Sequence, residues 1–565
     1  LSQLYEDRGE HDQHAELLAA RLHATVNPFE ITALHLARAE LFAGPLGARA
    51  SAKEELQAIL QKEPHHAHAL ARLADLELAD DNPTAAAELE IRRASIERAP
   101  ERLREIFLRL GRIHTGVLPD TKRAVGAYSR VLQLDPDNRE ALDALSLLYV
   151  RLGETKNALA ITDRLAKVEP DKSRRAEYHV RLGQLFERAG DPRAAAQNLR
   201  LAVDESPRNL AGVGELARFL ERTRDVAGRR ILLDRVATEL RLSVHEHPRD
   251  PGAWADLATV LTWRGRTVAA RAATELGQIL AGGAAPDDAT LALDAGDRGG
   301  RRLVALSDPA VDERTFPASV SSPLRQLFRL LGPMLADGLK IEFARPGLDR
   351  QDRVTGDRPP RDVLAPIAIE LGLPAFDLYV PAAPASGGAL WESVPGKPPI
   401  IVMSADVIAL GVAAVRFAGA AALRLAATHL NMAMAGPEAD FGALLAGIVR
   451  QFVPEYTVPN ILEEAMVARS TRVARLLPRR MRQDLMPFAM ECSGPIDLGV
   501  VRTGLREAAN RVGLLSAGSI TPALAVLAAR RGEPVGADLL GDDDARALID
   551  FSLSDEYDDL VRLMA

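Results

Sequence analysis

The stretch between Arg139 and Pro170 carries a spacing of small and large residues that strongly limits how this chain can fold. Counted from Arg139 as position 1, positions 4, 7, 11, 15, 20, 27 and 32 hold Leu142, Leu145, Tyr149, Gly153, Ala158, Leu165 and Pro170. Spacings of three and four residues place side chains on one face of a helix. We therefore predict two antiparallel helices. Gly153 ends the first helix, Ala158 lets the two approach closely, and Pro170 closes the unit.

Related spacings recur through the first half of the chain. The matching residues are Leu70, Leu73 and Ala74, then Leu110, Gly111, Tyr128 and Pro136, then Leu182, Gly183, Phe186, Gly190, Ala195, Leu199, Ala202 and Pro207, and lastly Trp254, Leu257, Ala258, Leu261 and Gly265. This pattern resembles the tetratricopeptide repeat, whose helical hairpins recur about every 34 residues. The resemblance implies a mainly α protein with an α-solenoid of about seven hairpins over residues 1–282. Because Leu1 falls partway through a repeat, we expect the first hairpin to be truncated.

Such a stack has a concave face lined by the first helix of each hairpin. The positions that point into this groove in the family hold Arg109, Arg112, Arg151, Arg181, Gln184, Arg188, Arg218 and Arg222. Because guanidinium groups grip carboxylates in a bidentate way, we expect a protein partner with an acidic segment. The alternative is a set of solvated helix faces, since Glu187, Glu215 and Glu221 lie close by. Asp143 and Leu147 stand where the family's carboxylate clamp needs Lys and Asn, so a chaperone tail is not the expected partner.

Composition narrows the class of protein. Apolar residues make up 47% of the chain and charged residues 26%, which is ordinary for a globular protein. The single cysteine, Cys492, excludes an intramolecular disulfide framework and indicates a reducing compartment. We therefore predict a cytoplasmic location, and the lack of a visible signal peptide carries little weight because Leu1 falls partway through a repeat. The formal net charge of −8 argues against a nucleic-acid partner.

The second half changes character. Residues 283–322 are rich in Gly, Ala, Asp and Pro and keep no apolar period, so we predict a linker there. Residues 323–565 are predicted to form an α+β domain, because β-like runs precede most of the helices. The runs are Phe376–Val380, Ala389–Ser393 and Pro399–Met403, and the helices lie near 323–336, 405–434, 438–452, 458–476, 480–490, 499–514 and 520–530. Arg416, Arg424 and His429 interrupt the long apolar run near 408–435, which favours a buried helix over a membrane span.

Charge is segregated in this half. One basic run holds Arg469, Arg472, Arg475, Arg479, Arg480 and Arg482 with no acid between them, and the tail over 533–565 is strongly acidic. A basic helix is able to make weak contact with an anionic surface. The alternative is that it is solvated or pairs with the tail. We also hypothesise that the tail competes with partners, by occupying the arginine-lined groove or this run.

A second resemblance concerns residues 323–565. The order FDLYV (376–380), PPIIVMS (398–404) and VRFAGAAALRLAATHL (415–430) resembles zincin metallopeptidases of the CaaX-protease-like kind. Phrases such as LPRRMRQDL (477–485) and FSLSDEYDDL (551–560) are similar to a degenerate copy of that domain in bacterial tetratricopeptide proteins. In that family a helix bears H-E-x-x-H, but Ala421, Ala422 and Leu425 occupy these positions here. Arg506 stands at the third ligand position and Asn510 at the following Asp.

The residues themselves also argue against catalysis. From residue 283 onward there is one histidine, His429, and one cysteine, whereas catalytic zinc needs about three protein ligands. His65, His66 and His68 lie in and after a turn without a carboxylate or cysteine arranged around them. Phosphate-binding loops and nucleophile elbows are absent. We therefore predict a non-enzymatic scaffold without catalytic residues, metal or cofactor. The alternative is a metallopeptidase-like hydrolase with an atypical site in residues 323–565.

Overall fold

The computed structural model describes residues 2–280, 304–339, 348–356, 358–381 and 390–565. The chain divides into two compact units, Leu1–Arg229 and Arg230–Ala565. The division differs from the predicted boundary at residue 282, because the last hairpin groups with the C-terminal half. The predicted linker, 283–322, lies outside the described residues up to 303. From residue 304 its character differs from the prediction, since Leu306, Val311 and Val320 are buried.

The first unit is a series of antiparallel α-helices, which confirms the predicted mainly α solenoid of hairpins. Its helices are α1 (Ser2–Arg8), α2 (His11–Ala24), α3 (Pro28–Ala43), α4 (Arg49–Lys62), α5 (Ala67–Ala79), α6 (Pro83–Ile96), α7 (Pro100–Thr115), α8 (Thr121–Leu134), α9 (Arg139–Leu152), α10 (Thr155–Val168), α11 (Lys172–Arg188), α12 (Pro192–Glu205) and α13 (Leu210–Arg222). Short polar residues start many of these helices: the side chains of Asn82, Asp120, Asn138 and Asp191 each accept a hydrogen bond from a backbone N–H of the first turn. Gly153, with φ of +74°, ends α9 as predicted.

Small residues of the first helices bring each hairpin together. A Cβ atom built on Gly111 would lie 2.6 Å from the ring of Tyr128, and one on Gly183 would lie 2.6 Å from Leu199 Cγ. Both glycines sit on the first helix of a hairpin and face a large side chain of the second. The repeat spacing therefore reflects close packing of the two helices, because an extra methyl group at these positions would force them apart.

Replacing Gly183 by Ala should lower the free energy of unfolding by about 1–3 kcal/mol, because Leu199 blocks the space that the new methyl group needs. The matched control is Gly126→Ala in α8, where a Cβ would meet no atom within 4 Å. That change should be neutral or add up to about 1 kcal/mol through helix propensity. Urea unfolding followed by circular dichroism checks both variants, and equal stability of the two would contradict the packing argument.

The second unit contains helices around a small sheet. Its helices are the rest of α14 (Val226–Glu246), then α15 (Pro251–Trp263), α16 (Thr267–Leu280), α17 (Pro309–Thr315), α18 (Ser322–Gly338), α19 (Arg361–Glu370), α20 (Ala405–Ala409), α21 (Val412–Ala427), α22 (Glu438–Val449), α23 (Glu463–Leu476), α24 (Met481–Glu491), α25 (Leu498–Ala517), α26 (Ile520–Arg531), α27 (Asp543–Ser552) and α28 (Asp555–Met564), with short 3₁₀ helices at Arg350–Asp352, Leu430–Ala433 and Ala537–Gly541. Its strands are β1 (Arg353–Val354), β2 (Asp377–Tyr379), β3 (Trp391–Val394) and β4 (Ile400–Met403).

The strands form one mixed sheet in the order β1–β2–β4–β3. Strands β2 and β4 run parallel, with Leu378 opposite Ile401, and the two outer pairs are antiparallel. Helix α21 packs on β3 and β4 on one side and along α25 on the other. Its side chains from Ala414 to Ala426 are almost all buried, which confirms the predicted core helix. The α+β character predicted for this half is therefore present.

Several elements of this unit were not predicted from the sequence or differ from the prediction. The run predicted as one helix over 405–434 breaks at Gly411, whose φ of +100° no helix accommodates, and ends before His429, which has a φ of +58°. The tail predicted only as acidic contains helices α27 and α28. Asp542 and Ser554 cap them with side-chain hydrogen bonds, and acids fill their first turns, where the helix dipole favours negative charge. Residues 340–347 and 382–389, including Ala389 of a predicted strand, lie outside the described residues.

The last hairpin, α15–α16, is joined to the C-terminal helices by two buried carboxylates. Asp558 of α28 accepts hydrogen bonds from the backbone N–H groups of Val268, at 2.9 Å, and Ala269, at 3.4 Å, in the first turn of α16. In the other direction, Glu275 of α16 accepts from the backbone N–H groups of Ile520 and Thr521 in the first turn of α26, at 3.1 and 3.4 Å. Each segment thus caps a helix of the other.

Replacing Asp558 by Ala should destabilise this unit by about 1–3 kcal/mol, because two backbone N–H groups of α16 lose their buried, charged acceptor. Glu556→Ala is the control, since Glu556 is exposed on the same helical turn and lacks a partner in the described structure. It should cost less than about 1 kcal/mol, because it loses only its interaction with the helix dipole. The midpoint of thermal unfolding checks the pair. A loss no larger for Asp558 than for Glu556 would refute the capping role.

Candidate partner-binding surface

The first helices of the first unit are linked along their exposed face by ion pairs. Each link joins one first helix to the next: Asp75 (α5) to Arg109 (α7) at 2.5 Å, Glu140 (α9) to Arg112 (α7) at 2.6 Å, Asp143 (α9) to Arg181 (α11) at 2.9 Å, and Glu187 (α11) to Arg222 (α13) at 2.8 Å. We call this row the arginine ladder. It connects consecutive hairpins, because every pair spans from one repeat to its neighbour.

The ladder accounts for much of the predicted groove set. Arg218 pairs with Glu215 one turn away on its own helix, at 2.8 Å. Arg109 also reaches Glu90, whose carboxylate is buried, at 3.2 Å. Burial raises the pKa of Glu90, and Arg109 and Arg93 oppose that rise. Of the acidic partners, Glu187 and Glu215 were noted near the arginines from the sequence, whereas Asp75, Glu90 and Glu140 were not predicted.

Arg151 and Arg188 differ from the ladder residues. Both side chains are exposed, and within the described structure neither has a hydrogen-bond or ion-pair partner. They occupy equivalent positions in consecutive repeats, two residues before Gly153 and Gly190, which have φ values of +74° and +80°. Gln184, half-buried on α11, likewise has no polar partner among the described residues. The structure therefore leaves two guanidinium groups of the predicted set available to an external anion.

A cavity of about 290 Å³ opens between the first helices α3 and α5. Its floor is apolar, with Leu36, Leu56 and Leu76 among the lining side chains. Polar groups surround this floor, including Arg72 and the ladder residue Asp75. Pockets that combine an apolar floor with a few polar groups suit the anchoring side chain of a bound segment. This pocket was not predicted from the sequence.

Contrary to the hypothesis, the described acids of the tail form ion pairs with arginines outside the basic run of residues 469–482. Tail acids pair instead with other arginines of the second unit: Asp555 with Arg264, Asp544 with Arg506 and Arg530, and Asp542 with Arg530 and Arg531. Asp559 pairs with Arg266. The tail is thus a structured part of the second unit, held by arginines of the turn between α15 and α16 and of the helices α25 and α26.

The positions compared with a zincin site are apolar and buried. Ala421, Ala422 and Leu425 are each at most 2% exposed and lie on α21 in the core. Arg506 donates to Asp544 at 3.3 Å and to Thr503 at 3.1 Å. His429 packs against Gly332, and burial lowers the pKa of its imidazole. In the described parts of the chain, no group of three or more His, Cys, Asp or Glu residues is arranged to hold a metal ion.

Two other candidate groups have local structural roles. His66 caps α5, since its Nδ1 accepts a hydrogen bond from the Ala69 N–H at 3.1 Å. Cys492 is buried at the end of α24, and burial, followed by the nearby Glu491, raises the pKa of its thiol to about 11. At neutral pH this cysteine is therefore protonated and poorly nucleophilic.

Because Cys492 is the only cysteine of the chain, its thiol can be titrated directly. At pH 8 the folded chain should react with a thiol reagent at least about 100-fold more slowly than the urea-unfolded chain, whose thiol has a pKa near 8.5. The raised pKa stabilises the folded state fully below about pH 8.5, and that contribution is lost as the pH rises through about 11. Absorbance of the released reagent gives both rates, and equal rates would show that the thiol is accessible and ionised.

No protein-family model matches the chain. Among curated proteins, the BBSome complex member bbs-4 of Caenorhabditis elegans is 30% identical over 106 residues, which are 18% of this chain and 22% of that protein. The chain therefore spans less than a quarter of that relative's length. Among solved structures, MamA from Desulfovibrio magneticus, from residue 41 to its end, is 21% identical and covers 31% of this chain and 96% of its own, with a TM-score of 0.25. The C-terminal part of a TPR repeat-containing protein from Cytophaga hutchinsonii is 14% identical and covers 38% and 84%, with a TM-score of 0.30.

Among the described helices, none is both long enough and apolar enough to cross a membrane.

Proposed function

We propose that this chain is a non-enzymatic scaffold that binds an acidic segment of a partner protein on the first-helix face of its first unit. The observation that carries the proposal is a pair of exposed arginines, Arg151 and Arg188, which stand at equivalent positions of consecutive repeats and have no partner among the described residues. Guanidinium groups bind carboxylates in a bidentate manner, so two of them on one face favour a segment with two or more acidic residues.

The arginine ladder supports this proposal in a second way. Its exposed pairs, such as Arg112–Glu140 and Arg222–Glu187, each contribute only about 0–1 kcal/mol to stability, because water screens them. A partner carboxylate is able to exchange with the internal acid at little cost in free energy. The arginine ladder thus holds its arginine side chains on the first-helix face and fixes the distance between them from one repeat to the next.

The competing explanation for Arg151 and Arg188 is a local one. Both lie in the last turn of a first helix, where a cation interacts favourably with the helix dipole. This helix-dipole role requires no partner protein. It predicts that reversing the charge of the two arginines leaves partner binding unchanged. The apolar pocket between α3 and α5 favours the binding role, since it offers an anchor site for the same segment on the same row of first helices.

We further propose that residues 323–565 form a pseudo-metallopeptidase domain. This interpretation draws support from helix α21, which follows β4 and packs along α25, and from the apolar residues at the three compared positions of α21. Among the described side chains, no specific arrangement supports the alternative of hydrolase activity. We propose that this domain packs on the last hairpin as a structural partner, and that the protein is cytoplasmic.

The test begins with peptides selected from a random library on the immobilised full-length chain. The selected peptides should be rich in Asp and Glu, and fluorescence anisotropy should show binding that weakens as salt screens the charges. The double variant Arg151→Glu/Arg188→Glu should weaken binding at least about tenfold, because two attractive contacts become repulsive.

The matched control is Lys156→Glu/Arg200→Glu, which makes the same change in net charge on the second helices α10 and α12. Both control residues are exposed and have no polar partner among the described residues. Their reversal should leave affinity within about twofold, since long-range charge is screened beyond about 10 Å at ordinary salt. Equal weakening by the two double variants, or selection of peptides without acids, would overturn the proposal.

A further inference from the structure

One carboxylate in the second unit is shared by two arginines from different helices. Asp312 of α17 accepts from Arg424 of α21 at 2.5 Å and from Arg325 of α18 at 3.0 Å. Both guanidinium groups also lie over the ring of Phe316, with their Cζ atoms 4.7 Å (Arg424) and 4.8 Å (Arg325) from its centroid. This arrangement fixes both guanidinium groups without neutralising both.

The arginine of α21 is the more unusual of the two. Arg424 is 2% exposed, and its other polar contact is the Thr315 hydroxyl, at 3.1 Å. Among the described residues, neither its Nε nor that of Arg325 has a hydrogen-bond acceptor, and both atoms are buried. A buried cation is costly unless it is paired and fully hydrogen-bonded, and here one carboxylate serves two cations. The site therefore carries an excess of positive charge in a region of low polarity.

These groups line a cavity of about 420 Å³, a size typical of small-molecule sites. Arg325, Arg329 and Arg424 contribute guanidinium groups to its wall, together with the amide of Gln326. Arg329 is exposed and has no partner in the described structure. The acids of the wall are Asp312, which is already shared, and Glu313, which is exposed to water. Three arginines against these two acids leave the cavity net positive.

We propose that this cavity binds the phosphate group of a small phosphorylated molecule, with the phosphate on Arg325, Arg329 and Arg424 and the remainder of the ligand against the polar wall. Several guanidinium groups around one cavity suit a tetrahedral dianion, which offers three terminal oxygens as acceptors. Its charge would also offset the cations that Asp312 leaves uncompensated. The site is separate from the partner-binding surface of the first unit and does not depend on it.

Isothermal titration calorimetry of the full-length chain tests the proposal, with inorganic phosphate and glucose 6-phosphate as probes at constant ionic strength. Both should bind, and glucose alone should not. Arg329→Ala should weaken binding at least about fivefold, whereas Arg314→Ala, which removes an exposed arginine of α17 outside the cavity wall, should leave it unchanged. Neither residue has a partner in the described structure, so both variants should keep the melting temperature of the unaltered chain.

The variant Glu313→Gln tests the proposal by a gain in phosphate affinity, which a purely structural role of this residue would not produce. Removing this carboxylate from the wall should tighten phosphate binding several-fold, because it repels the ligand without holding any described element together. Three results would overturn the proposal: no heat of binding from either phosphate probe at millimolar concentration, equal binding to Arg329→Ala and the unaltered chain, or succinate binding as tightly as phosphate.

Discussion

Glu275 and Asp558 connect two stretches of chain that lie far apart in sequence, and the second unit depends on the bonds they make. Each carboxylate is buried and closes the N-terminus of a helix that belongs to the other segment. Backbone N–H groups at a helix start have no partner within the helix, and the helix dipole adds positive potential there. A carboxylate at that point satisfies both demands, so the cost of burying its charge is offset by charge-assisted hydrogen bonds.

This interface explains why the last hairpin groups with the C-terminal half of the chain. The end of a repeat stack exposes an apolar helix face that a further repeat would otherwise cover, and it needs a cap. Here α26 and α28 pack against α16. Arg264 holds Asp555 through two bonds of 3.1 Å at the rim of the same contact. The acids of the tail are therefore helix caps and ion-pair partners within the second unit.

Arginine has different roles in the two units because its surroundings differ. On the first-helix face, water screens the guanidinium groups, so their pairs with Glu and Asp are weak and exchangeable. In the second unit, Arg424 is removed from water, and burial lowers the pKa of its guanidinium although Asp312 opposes that shift. A screened arginine suits a partner that binds and leaves. A desolvated one suits a fixed site whose ligand supplies the missing charge.

The hairpins of the first unit could be predicted from the sequence, because their helices contact neighbours only a few tens of residues away. A local spacing such as Gly111 with Tyr128 or Gly183 with Leu199 then reports the packing directly. The end of α9 at the left-handed Gly153 was also predicted. The same spacing also predicted the candidate groove arginines. It did not predict which of them are free to bind a partner, because it does not indicate which acid lies opposite each arginine in the neighbouring repeat.

The sequence by itself determined the repeat, the helical hairpins and the absence of the zincin ligands at the compared positions. Tertiary structure alone decided which arginines are paired, where the acidic tail lies, and that Arg325 and Arg424 share one carboxylate. Some of these contacts join side chains more than 100 residues apart, such as Arg424 with Asp312 and Glu275 with Thr521. Hydrophobic periodicity carries no information about such pairs, because it reports which face of a helix is buried and leaves open what covers it.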